Sequence, residues 1–365
     1  MDKSQELLLH AVSQALFGVP DSAPLPDEVL AEAKMQSVVS LIANDYQAIA
    51  ANIRCIAAHT EITRLLEDIP FTTFKGFASA FYYSTPEKRM MGDVDFIVPP
   101  EYYQAVKERL FAAGWEKSDS NNDHHEEFFK QHISFELHSD INGVPKQAEG
   151  ISTEFSSVEA EAKVKSLLAD LIDTSITIES QQGPIQIPDE FHHGLIMLLH
   201  VAHHMIESYG IGLRHLCDWA VYVHQVDLEQ YRDRLEGVGL WTFARQLTAV
   251  SSAYLGLPEK VWAGEWPDAF LKSFVDDILS SGNFGRKRPG RRSALVLAES
   301  SYVEYVKKLI PVSRKYKVLL PFAMVIAPLL YVNRMIHGRS KPVKLSTISE
   351  ARRRVALYNQ FQLFQ

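Results

Sequence analysis

The chain has 365 residues, enough for two or three domains and a sizeable buried core, and its 46% hydrophobic and 22% charged content are ordinary for a globular protein. Two cysteines, Cys55 and Cys217, exclude a disulfide framework and a cysteine zinc pattern. The N-terminus lacks a basic segment leading into an apolar one, so no signal peptide is expected and a reducing, cytoplasmic location is. The net charge of −8 hides an asymmetry: residues 284–354 hold 17 Lys/Arg against three Asp/Glu, a balance of +14 that leaves −22 for the remainder.

In chain order, residues 1–60 read as N-terminal helices, with Val29, Leu30, Ala33, Val38, Val39, Leu41 and Ile42 recurring at helical spacing. The pattern changes over residues 61–150. Residues 69–74 are a short β-prone run, Lys75 and Gly76 open a helix-like stretch to residue 83, and residues 92–98 are a second strand closed by Pro99 and Pro100. Residues 101–113 form an amphipathic helix ended by Gly114, and residues 133–138 a third strand. Strand, helix, strand, helix, strand predicts an α+β core. Residues 151–365 read as a mostly helical C-terminal region, with strong helices over 191–209 and 213–226 and an irregular, very basic loop over 281–292.

Residues 318–332 are a 15-residue apolar run interrupted by Pro321 and Pro328. A spanning helix needs roughly 20 residues, and proline breaks the helical hydrogen-bond ladder. A buried helical segment is expected. Peripheral contact with an anionic membrane is the alternative, because Lys/Arg flank the run on both sides. The basic block points either to an anionic partner or to an acidic region of the same protein facing it. No aromatic residues interleave the loop Arg286 to Arg292 and the total charge is acidic, so no nucleic-acid partner is expected.

Chemistry concentrates between residues 74 and 138. On a strand side chains alternate, so Asp93 and Asp95 project from one face while Val94, Phe96 and Val98 project from the other. Two adjacent carboxylates repel, and a hard divalent cation such as Mg²⁺ (or Mn²⁺) relieves that repulsion while recruiting substrate phosphates. Asp-x-Asp is common at solvated turns; its place inside an apolar run makes it a site candidate. Glu136, alternating with Phe135 and Leu137, is the candidate third metal ligand or the base that activates an acceptor hydroxyl. Upstream, Gly76 would let backbone approach a phosphate at a helix start, Lys75 adds a point charge, and Arg89 is a further phosphate candidate.

These residues together resemble a known family. Phe74-Lys75-Gly76, then Arg89 with Gly92, Asp93 and Asp95, then Glu136-Leu137-His138, look like the uncharacterised bacterial nucleotidyltransferase family, within the superfamily of DNA polymerase β-like and aminoglycoside nucleotidyltransferases. His200, His203 and His204, followed by Gly212, Arg214 and Asp218, are similar to that family's C-terminal helices, as is the island from Ser281 to Gly285. The resemblance implies a mixed sheet with Asp93 and Asp95 on one strand and Glu136 on the next. It implies Mg²⁺-dependent transfer of a nucleoside monophosphate from a nucleoside triphosphate, with pyrophosphate leaving, to an acceptor it does not name: a small molecule, glycan intermediate or peptide. The wider superfamily has Gly-Ser at the phosphate turn where this chain has Lys75-Gly76. The same fold could instead take a nucleotide-sugar or other phosphorylated donor, or serve without catalysis as an adaptor at an anionic membrane.

Other constellations have plainer readings. His200, His204 and Glu207 fall on one helical stripe, a zinc set or a packed core. His138, His204 and Arg214 are candidates for the acceptor cleft. Arg214 and Asp218, four apart, can pair as a structural ion pair. His124 to Glu127 read as a solvated hairpin or loop without metal spacing.

Overall fold

A computed structural model describes the chain except residues 20–22, 119–124, 142–143, 146–156, 207–209, 288–305, 307–309, 311, 313–315, 317–318 and 337–352. Four helices come first: α1 (Lys3–Phe17), α2 (Asp27–Met35), α3 (Val39–Ile42) and α4 (Tyr46–Leu65). Asp2 and Gln5 cap α1 reciprocally, each side chain accepting the other's backbone N–H.

The α+β portion follows as β1 (Thr72–Phe74), α5 (Gly76–Ala80), β2 (Asp93–Ile97), α6 (Tyr103–Ala112), β3 (Glu116–Lys117), β4 (His125–Lys130) and β5 (Ile133–His138). They make one five-stranded sheet in the order β1-β2-β5-β4-β3. Only β2 and β5 run parallel, with Asp95 opposite Glu136; the other pairs are antiparallel. The expected fold class and the expected neighbourhood of the Asp93–Asp95 and Glu136 strands are therefore both present. Strands β3 and β4 were not foreseen: β4 carries His125, Glu126, Glu127 and Lys130, charged residues that hide its alternation. Gln131 and His132 both hold positive φ, as a two-residue type I′ hairpin turn requires, and this turn sets the β4–β5 register.

The apolar face of the sheet packs on α4 and α6. Val94, Phe96, Phe128 and Phe135 are fully buried there with Ile62, Val106 and Leu110, each such burial stabilising by about 1.5–3 kcal/mol. Trp115 stacks on Phe135 with ring centroids 3.5 Å apart.

Next come α7 (Ser157–Leu167) and a hairpin of β6 (Ile176–Ser180) and β7 (Gly183–Ile187), absent from the sequence expectation. The hairpin docks on the core: Thr73 Oγ1 donates to the Gln186 carbonyl at 2.5 Å. The helical core then assembles from α8 (Glu190–Ile206), α9 (Leu213–Gln225), α10 (Arg232–Gly237), α11 (Trp241–Leu255) and α12 (Asp268–Ser281), packed with α1. Residues 353–359 are helical and return to this core through Leu357, Tyr358 and Phe361.

α13 (Leu320–Ile336) corrects one expectation. It continues through Pro328, with Pro321 in the first turn where no N–H is needed. It is not buried all round. Ala323 and Ala327 pack on Val306, but Phe322, Val325, Ile326 and Leu329 stay 68, 75, 47 and 70% exposed. Among the described residues no helix is long and apolar enough to cross a membrane. Part of the basic block faces acids of the same chain: Lys287 pairs with Glu32 at 2.8 Å, and Arg354 with Asp277 at 3.0 Å.

Candidate active site

The polar face of β2 and the turn from β1 into α5 form one wall of a cavity of about 210 Å³, and α8, α9 and Phe284 form the other. Lys75, Gly76, Asp93 and Asp95 line the first wall; His193, His200, His204, Arg214 and His215 line the second. The sheet wall carries the carboxylates and Lys75, and the helical wall carries the histidines with Arg214.

Asp95 is buried and held from two sides. Lys75 Nζ donates to its Oδ1 at 2.6 Å, and His138 Nε2 lies 2.8 Å from the same oxygen. Burial opposes its charge, but Lys75 and His138 outweigh it and hold the carboxyl well below the usual range. Asp93, half-buried, has no such cation. Burial, then the negative charges of Asp95 and Glu136, push its pKa up to about 6. Burial works against the Lys75 ammonium, and Asp95 more than offsets it.

The turn that delivers Lys75 is unusual. Lys75 sits at φ 59°, ψ −127° and Gly76 at φ 20°, and α5 is only five residues long. His59 of α4 lies beneath it. Its Nδ1 donates to the Cys55 carbonyl at 2.8 Å, and its Nε2 accepts the Phe77 N–H at 3.3 Å. Burial lowers the His59 pKa to about 4, so the ring is a neutral acceptor. The Phe77 N–H, expected to be open to phosphate at a helix start, is therefore already satisfied by a side chain.

The loop before Asp93 is pinned by residues far away in sequence. Asn52 donates to the Glu87 carbonyl at 2.7 Å and accepts the Met91 N–H at 3.0 Å. Ser40 Oγ donates to the Lys88 carbonyl at 2.7 Å, and Arg214 Nη1 to the Met90 carbonyl at 3.0 Å. Arg89 turns inward and binds Asp218 through Nε and Nη2 at 3.0 and 2.7 Å, with Tyr83 Oη donating to the same carboxylate at 2.8 Å. The expected Arg214–Asp218 pair is thus replaced by Arg89–Asp218, since Arg89 reaches both oxygens of a buried carboxylate while Arg214 faces the cavity and Phe284.

On the helical wall the histidines are neutral. Burial lowers the pKa of His193 and His215 to about 3, and His200 and His204 lie well below the usual value for the same reason. Among the described residues, neither ring nitrogen of His193 has a hydrogen-bond partner. The His200 and His204 rings meet edge to face at 4.4 Å, and Phe284 lies 4.7 Å from His204. Glu207, the third member of the expected stripe, lies outside the described residues.

Glu136 stands apart from the cavity lining, opposite Asp95 on β5, with His138 Nε2 3.4 Å and His125 Nε2 3.6 Å from its Oε2. The sequence suggests a solvated hairpin or loop around His125, and of the two the structure has the hairpin. His125 lies on β4 and is half-buried rather than solvated, because the β4–β5 register brings it opposite His138. His124 lies outside the described residues.

No curated protein matches the chain. A family model described as an uncharacterised nucleotidyltransferase matches residues 10–256, a span holding the whole five-stranded sheet and helices α8 and α9 of the cavity wall, and ending before Ser281 and the basic C-terminal block. With more than half of its 365 residues matched, on top of the acidic strand pair and the cavity above it, the chain belongs to the uncharacterised nucleotidyltransferase family.

Proposed function

We propose that this protein is a divalent-metal-dependent nucleotidyltransferase that moves a nucleoside monophosphate from a nucleoside triphosphate to an acceptor, releasing pyrophosphate. The observation that carries this reading is the register of β2 and β5, which sets Asp93, Asp95 and Glu136 on one sheet face at the edge of a walled cavity. The electrostatics of Asp93 suit a cation. Asp93 is a half-buried acid with two like charges beside it and a raised pKa, the condition a divalent ion relieves.

Asp93, Asp95 and Glu136 would hold Mg²⁺ or Mn²⁺, which when bound neutralises charge developing on the transferred phosphate. Lys75 balances Asp95 in the absence of substrate and neutralises a phosphate oxygen in its presence. Arg214 and the neutral histidines His200 and His204 wall off the acceptor side and exclude water. The acceptor hydroxyl attacks the α-phosphorus, the bond to pyrophosphate breaks, and a carboxylate of the set takes the proton. Arg89 acts as a positioning residue for the loop before Asp93, since its guanidinium is committed to Asp218.

Calorimetric titration with nucleoside triphosphates tests this. Binding is expected only with Mg²⁺ or Mn²⁺ present and lost in Asp93→Asn and Asp95→Asn. Binding and turnover unchanged in both variants would sink the reading. A thermal-shift response to nucleotide-sugars in place of nucleoside triphosphates would move the donor class and keep the site.

A second reading concerns the C-terminal region and is compatible with the first. The exposed stripe Phe322, Val325, Ile326 and Leu329 on α13, with Lys/Arg on both sides of it in the sequence, favours peripheral contact with an anionic membrane. Co-sedimentation with phosphatidylserine vesicles is expected, abolished by high salt and by serine substitutions at Phe322, Val325 and Leu329. No retention on vesicles at low salt would remove this reading.

A further inference from the structure

The polar face of the sheet does not end at the aspartates. Beyond Glu136 the two-residue turn at Gln131 and His132 pairs Lys130 with Ile133, and five steps further along each strand it pairs His125 with His138. Glu136 precedes His138 by two residues and so shares its face. His138 Nε2 and His125 Nε2 lie 3.4 and 3.6 Å from the same Glu136 Oε2, and the three atoms all lie within 4.8 Å of one another. The side chains are buried or half-buried, so they are held rather than mobile.

Ligands spaced tetrahedrally around zinc, at bond lengths of about 2.0–2.1 Å, stand about 3.4 Å apart. The two separations to Glu136 match that edge. The donor types also select. Two imidazole nitrogens with one carboxylate oxygen suit Zn²⁺ and its first-row neighbours, whereas Mg²⁺ takes oxygen ligands.

We propose that His125, Glu136 and His138 form a Zn²⁺ site beside the aspartate pair. It shares Glu136 with the proposed nucleotidyltransferase set but needs neither nucleotide nor turnover, and His125 belongs to it alone. Occupancy requires His138 Nε2 to give up its contact with Asp95 Oδ1, which leaves Lys75 as the Asp95 counter-charge. The site is thereby coupled to the catalytic wall through one imidazole.

The test is calorimetric titration of the chelator-stripped full-length protein with Zn²⁺, repeated in excess Mg²⁺. One equivalent is expected to bind, Mg²⁺ is expected not to displace it, and His125→Ala is expected to weaken it by at least about tenfold. His125→Gln serves as a second variant, and far-UV circular dichroism checks that both are folded. Asp93→Asn is expected to keep the Zn²⁺ affinity while losing metal-dependent nucleotide binding, so this inference and the nucleotidyltransferase reading fail separately. Absence of stoichiometric Zn²⁺ binding, or wild-type affinity in both folded His125 variants, overturns the proposal and leaves the three side chains as a hydrogen-bonded support for Asp95.

Discussion

Arg89 and Asp218 meet across 129 residues of chain, through two parallel hydrogen bonds of 3.0 and 2.7 Å between buried side chains. The pair ties the loop before Asp93 to α9, and with the Arg214 bond to the Met90 carbonyl it fastens the sheet wall of the cavity to the helical wall. Removing one partner strands a buried charge. Arg89→Met is expected to cost about 3–5 kcal/mol in urea unfolding. Adding Asp218→Leu should recover much of that loss; a double variant as unstable as the single one would contradict this account.

Asp93 is expected to work against stability. Its folded pKa of about 6 lies above the ordinary 3.8, so the folded state holds its proton more tightly than the unfolded one. Stability falls as pH rises from 3.8 through about 6 and stays lower above that. Asp93→Asn should therefore stabilise the metal-free protein at pH 8 by about 1–2 kcal/mol after allowing for solvent screening. The gain should vanish below pH 4, which unfolding curves at the two pH values would check.

The buried histidines predict the opposite trend in acid. His59, with a folded pKa of about 4, and His193 and His215, at about 3, all sit below the ordinary 6.5. Their stability contribution is full above 6.5 and is lost as pH falls toward the folded values, because only the unfolded chain takes up the protons. Each should remove about 1.4 kcal/mol per pH unit over that window. His193→Gln should flatten the measured stability–pH slope by about one such increment.

Gly76→Ala tests the turn beneath Lys75. A Cβ there would stand 2.8 Å from His59 Nε2, at a backbone φ of +20°. The His59 ring would have to leave the Phe77 N–H, at an expected cost of about 1–3 kcal/mol in stability. Faster hydrogen exchange at the Phe77 amide would report the displacement. Trimming His59 to alanine in the Gly76→Ala background should return part of the loss.

Alternation alone placed Asp93 and Asp95 on one strand face and Glu136 on another, and the Lys75-Gly76 turn was equally local. What the sequence could not carry is register. His125 meets His138 only because Gln131 and His132 close a tight turn, and neither is the glycine, asparagine or aspartate that usually marks one. Arg214 and Asp218 look paired from their spacing, yet Asp218 is claimed by Arg89 from another element. His59 beneath Gly76 and Asn52 beneath Met91 are likewise tertiary contacts that helical periodicity cannot foretell. The β6–β7 hairpin alternates plainly, but its docking on Thr73 depends on the assembled core.

The backbone at residue 75, φ 59° with ψ −127°, is a conformation in which glycine would rest without strain. A lysine there carries a standing penalty of about 1–3 kcal/mol. If shape were the only demand, Lys75→Gly would be an improvement, and a glycine scan should find it close to neutral for folding even though Asp95 loses its ammonium. The chain instead keeps a cation at a position hostile to any side chain, which sets a lower bound on what that charge is worth to the cavity it faces.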